Sequence, residues 1–557
     1  MPRVAPEDRK RAFRPKTRTG CSTCKSVFRV NYYSERRVKC GEERPACLRC
    51  TSTGRKCDGY STQASPSQSS PPSQSPPSPP ASFNSLLLLP SPSTSLFTSD
   101  QERRSFHFFL SRTAPQLAGD FKCAFWERLL LQAAHHEPAI RHVTVALGSL
   151  HEHFERDEGA PFRSGQMTAH SSFALRQYLR AMRCLMPAHG ASQPLDVCLV
   201  SCILFACFEA MRGYYGSAIT HITSGLKILG EFKANTVPSL SSYLAVSGAS
   251  RTPYVPVDIL CGLFTRLEAQ AMVTVRHMNG SNFSNLWPEL VIDLSRPVVF
   301  HSLAEAREML ELYTYHYRVH NTNLQNDKKG GSGSGLHPPS CAVSPATLRD
   351  TSLALLAKWS VALDVFLRQR GESLTDRDRR GAMVLQMRKI DCYIALDILR
   401  ESDDLSDATD ADQVKWDRYC PLFDQMVQIG ESIVLLSTTA TTESGTSFSL
   451  DLGITGCMFN AAARCRDPAI RRRAVQVLRA AAVQEGVWNS RVVAEMAQQW
   501  IAIEEEGLVL SPHTCADVPS CARLTHFYPM FDADRRSAMV YFCSHGLDAG
   551  REVLLQW

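Results

Sequence analysis

Six cysteines lie within the first sixty residues, and their spacing is that of metal ligands. They form two Cys-x2-Cys pairs, each followed by one further cysteine. Zinc prefers four tetrahedral ligands, and thiolates suit it well. Two separate sites would need about eight thiolates, but six suffice if two cysteines each bridge both ions. The sequence therefore predicts two zinc ions, with these ligands: Cys21, Cys24, Cys40, Cys47, Cys50 and Cys57.

Positive charge is concentrated in the same segment. Residues 1–60 hold 16 Lys/Arg and 6 Asp/Glu, a balance of +10, whereas the whole chain carries +6, which leaves −4 for residues 61–557. A basic module on a mildly acidic protein is typical of proteins that bind a polyanion such as double-stranded DNA.

Composition narrows the class of protein. At 557 residues, with 44% hydrophobic and 21% charged residues, the chain is typical of globular proteins. No apolar run is long enough to span a membrane, and Met1–Lys10 lacks the apolar core of a secretory signal, so we predict no membrane partner and a reducing compartment. No phosphate loop, dinucleotide fingerprint or His-Glu-x-x-His is present, and we expect no enzyme activity.

Changes in composition divide the chain into four segments, one of which contains the six cysteines. Residues 1–17 form a basic tail, and 18–60 form the zinc module. Residues 61–100 contain a Ser/Pro-rich stretch, with fifteen Ser or Pro among positions 61–80, which predicts a disordered linker. Residues 101–557 show apolar residues at helical spacing and predict a large all-α domain, with one mobile Gly/Ser-rich loop at 328–340.

Local signals place some helix ends in this domain. The predicted helices run near 164–186, 193–210, 214–232, 256–278, 300–325, 345–371, 376–401, 411–437, 467–484 and 489–506. Asp467-Pro468 indicates an N-cap followed by proline at the first helical position. Glu504, Glu505 and Glu506 predict a solvated helix end, with an acidic activation surface as the alternative.

The cysteine segment carries a family resemblance. Gly20–Ser26 (GCSTCKS) and Arg36–Tyr60 (RRVKCGEERPACLRCTSTGRKCDGY) closely resemble the fungal zinc binuclear cluster, Zn2Cys6. The resemblance implies that Cys21 and Cys47 are the bridging ligands. Parts of residues 127–151, 208–229 and 465–507 also look like the all-α regulatory region that follows this cluster in many fungal transcription factors.

The resemblance also implies which residues contact DNA. The family places a basic pair against base edges in the major groove, and the matching residues are Arg36 and Arg37, followed by Lys39, which would read CGG-type triplets. Other basic residues of the module are candidates for phosphate contacts, which orient a protein on the duplex without selecting a base sequence. These are Lys25, Arg49, Arg55 and Lys56.

One segment departs from the family pattern. Fifteen residues separate Cys24 from Cys40, whereas six separate Cys50 from Cys57, and removing Val27–Glu35 restores the six-residue gap. The segment is aromatic and β-prone, unlike the helix it interrupts. Two interpretations stay open: an inserted loop that zinc binding tolerates, since closure entropy grows slowly with length, or a misplaced splice boundary.

Together these features predict a nuclear, zinc-dependent, sequence-specific regulator of RNA polymerase II transcription. Its partners would be double-stranded DNA and the transcription machinery or co-regulators. A homodimer is compatible with the sequence, although no apolar heptads follow Cys57. The alternative is an interaction protein, a co-regulator whose zinc cluster is disabled by the insert and which acts through its helical domain. A small-molecule-sensing helical domain is compatible with either.

Overall fold

The computed structural model describes residues 43, 46–52, 57, 96–156, 169–186, 193–234, 252–272, 297–329, 344–398, 410–440, 447–532, 534–544 and 550–557. The chain divides into two units, Met1–Leu88 and Leu89–Trp557. The predicted tail (1–17), the insert (27–35) and residues 61–95 of the predicted linker lie outside the described residues.

The described part of the first unit contains one short helix, α1 (Leu48–Ser52). The second unit is mostly helical, which confirms the predicted fold class. Its helices are α2 (Asp100–Phe108), α3 (Ala114–Leu117), α4 (Leu130–His136), α5 (Pro138–Arg156), α6 (Ala169–Leu185), α7 (Leu195–Met211), α8 (Tyr215–Ala234), α9 (Val257–Met272), α10 (Leu303–Lys329), α11 (Pro345–Arg370), α12 (Asp376–Asp397), α13 (Cys420–Ala440), α14 (Thr455–Arg464), α15 (Pro468–Ala481) and α16 (Ser490–Glu504).

Side-chain caps explain where several helices begin. Asp467 Oδ1 accepts hydrogen bonds from the backbone N–H groups of Ala469 (3.0 Å) and Ile470 (3.1 Å), and Pro468 occupies the first turn of α15, as the sequence predicted. Asn489 caps α16 in the same way through the N–H groups of Arg491 and Val492. Each cap satisfies backbone donors that a helix start leaves without an intrahelical partner.

Among the residues that the structure describes, the second unit also contains two three-stranded sheets, which the all-α prediction for 101–557 did not include. In the first, β1 (Ser447–Ser449) pairs parallel with β2 (Val483–Glu485), which pairs antiparallel with β3 (Trp488–Asn489). In the second, β4 (Leu524–Phe531), β5 (Ser537–Ser544) and β6 (Arg551–Gln556) form an antiparallel meander. The sequence did not predict β4, because this strand lacks a regular alternation of apolar and polar residues. It contains a proline and four successive half-buried residues.

The core of the second unit is continuous and apolar. Trp359 and Trp500 are among its largest fully buried side chains, and Trp500 packs edge-to-face against Phe527 of β4 and Phe542 of β5. No helix in the described ranges is long and apolar enough to cross a membrane. The predicted loop at 328–340 begins inside α10, which ends at Lys329, and residues 330–340 lie outside the described residues.

His151 is a core residue of α5 whose neutral form the fold favours. Its ring is fully buried, and its Nδ1 lies 3.0 Å from the Thr113 hydroxyl. Burial, with a smaller contribution from Arg112, lowers the pKa of His151 from 6.5 to about 4. Between pH 6.5 and about pH 4, His151 is protonated in the unfolded chain but not in the folded chain. The free energy of unfolding must therefore fall as the pH drops through this range.

We therefore expect His151 to reduce the free energy of unfolding by about 2 kcal/mol between pH 7 and pH 5. In His151→Gln this contribution disappears, and the measured loss of stability between the two pH values should shrink by that amount. Urea denaturation at both pH values tests the prediction, with His153→Gln on the same helix as the control. An equal acid effect in His151→Gln and the unsubstituted protein would contradict it.

Candidate metal centre

Helix α1 places two of the predicted ligands side by side. Cys47 immediately precedes the helix and Cys50 lies within its first turn, so the two cysteines stand three residues apart on one helical face. The Cys47 carbonyl accepts hydrogen bonds from the N–H groups of Cys50 (3.0 Å) and Thr51 (3.2 Å). These bonds fix the first turn and hold the two side chains on the same side.

Three sulfur atoms converge at this turn. The Sγ atoms of Cys47, Cys50 and Cys57 all lie within 4.8 Å of one another. Thiolates around one tetrahedral zinc at about 2.3 Å would be about 3.8 Å apart, so this arrangement fits a zinc ion after small side-chain adjustments. In the part of the chain that the structure describes, no other group of His, Cys, Asp or Glu side chains has such geometry.

The surroundings of the three sulfurs also fit a metal. Cys47 is 0% exposed and Cys50 is 3% exposed, and burying thiolates is costly unless a cation compensates them. The Cys50 N–H points to the Cys47 sulfur at 3.4 Å, and the Cys47 N–H points to the Cys57 sulfur at 3.5 Å. Donors of this kind stabilise the charge of metal-bound thiolates and orient them. Zinc would bind these thiolates and so connect Cys57 to α1.

Sequence reasoning missed one residue that supports the centre. The Glu43 carboxylate accepts a hydrogen bond from the Leu48 N–H at 3.0 Å and so caps the start of α1. Glu43 lies five residues before Leu48, outside the usual N-cap position, so no local sequence signal identified it.

The structure locates only part of the predicted site. It brings together Cys47, Cys50 and Cys57, whereas Cys21, Cys24 and Cys40 lie outside the described residues. Arg49 belongs to α1, but its side chain is outside the described set. The remaining predicted DNA contacts are also outside it: Lys25, Arg36, Arg37, Lys39, Arg55 and Lys56.

The family model of the fungal Zn(2)-Cys(6) binuclear cluster domain matches residues 34–67. The matched segment contains four of the six cysteines, Cys40, Cys47, Cys50 and Cys57, and begins after Cys21 and Cys24. A domain of this family binds two zinc ions, as the cysteine count predicted.

Relatives extend the similarity along the chain. The chain is 24% identical to the aspercryptin biosynthesis cluster-specific transcription regulator atnN of Emericella nidulans, over 94% of each chain. It is 28% identical to the transcription regulator lscL of Purpureocillium lilacinum, over 40% of this chain and 54% of the relative. It is 43% identical to the transcriptional regulatory protein moc3 of Schizosaccharomyces pombe, over 10% of this chain and 9% of the relative. No solved structure matches the chain significantly.

Three cysteines that could hold a metal ion in a basic segment, together with a large helical unit, are the arrangement that the sequence predicted for a zinc-cluster regulator. Residues 34–67 match the fungal Zn(2)-Cys(6) binuclear cluster domain, and the chain is similar to fungal transcription regulators. These relatives are regulators rather than enzymes, in agreement with the prediction from the sequence.

Proposed function

We propose that the protein binds double-stranded DNA through its zinc module and reads CGG-type triplets in the major groove. The observation that carries the proposal is the convergence of three cysteine sulfurs inside the segment that matches the zinc cluster domain. The charge of +10 over residues 1–60 supports it, because phosphate neutralisation supplies much of the affinity for DNA. In this proposal Cys21 and Cys47 bridge two zinc ions, and Cys24, Cys40, Cys50 and Cys57 complete the sites.

The basic residues divide into two roles. Arg36 and Arg37 contact guanine O6 and N7, the commonest specific contact in the major groove, and Lys39 assists them. Contacts with phosphates then fix the register of the module on the duplex. The residues with this second role are Lys25, Arg49, Arg55 and Lys56.

The helical unit receives the regulatory input in this proposal. Residues 61–100 tether it to the zinc module, and it recruits co-regulators or the RNA polymerase II machinery in the nucleus, alone or as a homodimer. The name of the Emericella relative refers to one biosynthesis cluster, and similarity over 94% of both chains favours a comparably dedicated regulator here.

A binding experiment tests this function. Full-length protein should bind a CGG-containing duplex with an affinity that falls as salt rises, because binding releases counterions from the phosphates. Arg36→Ala should weaken binding to the CGG duplex by about 1–3 kcal/mol and should change binding to a scrambled duplex much less. Fluorescence anisotropy at several salt concentrations measures both effects, and Arg14→Ala in the basic tail is the matched control.

Deleting residues 27–35 distinguishes the DNA-binding proposal from the alternative, a co-regulator whose zinc cluster is disabled by the insert. A form lacking these residues restores the six-residue spacing and should bind at least as tightly as the full chain. If neither form binds duplex DNA in a salt-dependent way, the DNA proposal fails. That outcome would favour a co-regulator that acts through the helical unit alone.

A further inference from the structure

Two cysteine thiols are in contact in the helical unit. Cys420 is the first residue of α13, and Cys465 follows the last residue of α14. The Cys465 thiol donates a hydrogen bond to the Cys420 sulfur, and the two Sγ atoms are 3.6 Å apart. A disulfide bond is about 2.05 Å long, so side-chain movements of about 1.5 Å would bring the sulfurs within bonding distance. The fold thus places side by side two thiols that are 45 residues apart in the chain.

Buried hydrogen bonds hold the segment that leads into Cys420. Arg523 is 2% exposed and donates hydrogen bonds to both carboxylate oxygens of Asp417, at 2.8 Å and 2.9 Å. The same guanidinium donates a hydrogen bond to the Cys515 carbonyl at 2.7 Å. A buried polar group whose hydrogen bonds are satisfied makes its surroundings rigid. Since Asp417 lies three residues before Cys420, Arg523 keeps the start of α13 in place.

The backbone around Cys465 is held in a similar way. Cys465 is 0% exposed, and its N–H donates a hydrogen bond to the Ala461 carbonyl at 3.1 Å. The next residue, Arg466, is fully buried and bonds to Glu504 at 2.8 Å. Both sulfurs therefore belong to segments with little freedom to move apart. Holding two reactive groups in contact favours the reaction between them.

Cys420 is the member of the pair that an oxidant can reach. It is partly exposed, whereas Cys465 is buried. The contact with Cys465 and burial raise the pKa of the Cys420 thiol, so the thiol stays protonated near neutral pH. Because the thiolate is the reactive form, the pair should remain reduced until the concentration of oxidant rises.

We propose that Cys420 and Cys465 form a reversible disulfide when the protein meets hydrogen peroxide, which makes this pair a site of oxidative modification. Peroxide first transfers an oxygen atom to the Cys420 sulfur: an S–O bond forms, the O–O bond breaks and one water leaves. The Cys465 sulfur then attacks the Cys420 sulfur: the S–S bond forms, the S–O bond breaks and the hydroxyl leaves with the thiol proton as a second water.

The two thiols together lose two electrons, which reduce the peroxide to water. A dithiol reductant restores both thiols by thiol–disulfide exchange. The disulfide would join the start of α13 to the end of α14 covalently. Since both cysteines belong to the helical unit, the inference does not depend on DNA binding.

Peptide mapping of the full-length protein tests the proposal. After treatment with hydrogen peroxide, the protein is unfolded, its remaining thiols are labelled with iodoacetamide, and trypsin and Glu-C digests are analysed by tandem mass spectrometry. Cleavage after Glu431 separates Cys420 from Cys457, which otherwise share a tryptic peptide. A peptide linked through Cys420 and Cys465 should appear, labelling of Cys465 should be lost, and dithiothreitol should reverse both changes. In Cys420→Ser, peroxide should leave Cys465 as a thiol that iodoacetamide labels.

Two further serine variants are controls. Cys521→Ser removes an exposed cysteine, and Cys515→Ser removes a thiol that also interacts with Cys420. Both variants should still form the linked peptide. The proposal is wrong if Cys420 and Cys465 stay unlinked at a peroxide concentration that oxidises Cys521, or if Cys420 becomes linked to Cys515 instead. The map of the unsubstituted protein decides even if a serine variant fails to fold.

Discussion

Replacing Glu504 by alanine should lower the free energy of unfolding of the helical unit by about 3–5 kcal/mol. Glu504 lies at the end of α16 and is fully buried. It accepts hydrogen bonds from Arg466 Nη2 at 2.8 Å and Arg471 Nη2 at 2.7 Å, and both arginines are fully buried too. Without the carboxylate, two buried positive charges would face each other with less compensation.

Further bonds to the same carboxylate explain why the effect should be large. Its Oε1 also accepts hydrogen bonds from the Trp500 indole at 3.0 Å and from the Leu524 N–H at the start of β4 at 2.8 Å. Burial alone would raise the pKa of Glu504, but Arg466 and Arg471 lower it below the ordinary value, so the group remains charged. One side chain thus joins α15, α16 and the C-terminal sheet.

Glu495→Ala is the matched control, because it removes an exposed ion pair instead of the buried group formed by Glu504, Arg466 and Arg471. Glu495 lies on the same helix and pairs with Arg479 at 3.1 Å, but its side chain is 54% exposed. Exposed pairs contribute at most about 1 kcal/mol, so Glu495→Ala should change stability little. Urea denaturation followed by circular dichroism compares the two variants. Similar small losses in both would contradict the prediction that the buried cluster stabilises the unit.

Replacing Cys47 by alanine should abolish both zinc binding and DNA binding. In the proposed bridging arrangement Cys47 is a ligand of both ions, so its loss disturbs both sites at once. The Cys47 side chain is fully buried, and its sulfur accepts the Cys50 N–H. Structural zinc contributes about 10–16 kcal/mol to the folding of small zinc domains, so a module that loses both sites should unfold.

Cys50→Ala is the matched control for bridging. It removes a terminal ligand of one ion from the same helical turn, so the second zinc site keeps all its thiolates. Zinc stoichiometry by mass spectrometry should therefore fall further in Cys47→Ala than in Cys50→Ala, and anisotropy with the CGG duplex should detect no binding by Cys47→Ala. Two bound zinc ions and unchanged DNA affinity in Cys47→Ala would refute its role as a bridge.

Local signals in the sequence determined much of this structure. Apolar spacing located the main helices, and Asp467-Pro468 marked the start of α15, because a cap depends on residues a few positions apart. The Cys-x2-Cys spacing likewise implied that Cys47 and Cys50 share a metal, since one helical turn brings them together. The charge of residues 1–60 and the cysteine order were enough to indicate the class of regulator.

The prediction for Glu504 was wrong because burial depends on distant segments. Three successive glutamates at a helix end predict a solvated surface, and Glu506 is indeed 61% exposed. Glu504 is buried because Arg466, Arg471 and the first residue of β4 pack around it. No pattern within α16 reveals those contacts.

By itself, the sequence indicated the group of Cys47, Cys50 and Cys57, the basic charge of residues 1–60 and the main helices, because each depends on residues that are close together in the chain. Tertiary structure alone decided the C-terminal sheet and the buried Arg466–Glu504–Arg471 cluster. In this cluster Arg466 Nη2 also donates a hydrogen bond to the Leu524 carbonyl, 58 residues further along the chain. Side chains so far apart in sequence meet only when the packing of the helices brings them together, and no local spacing encodes that packing.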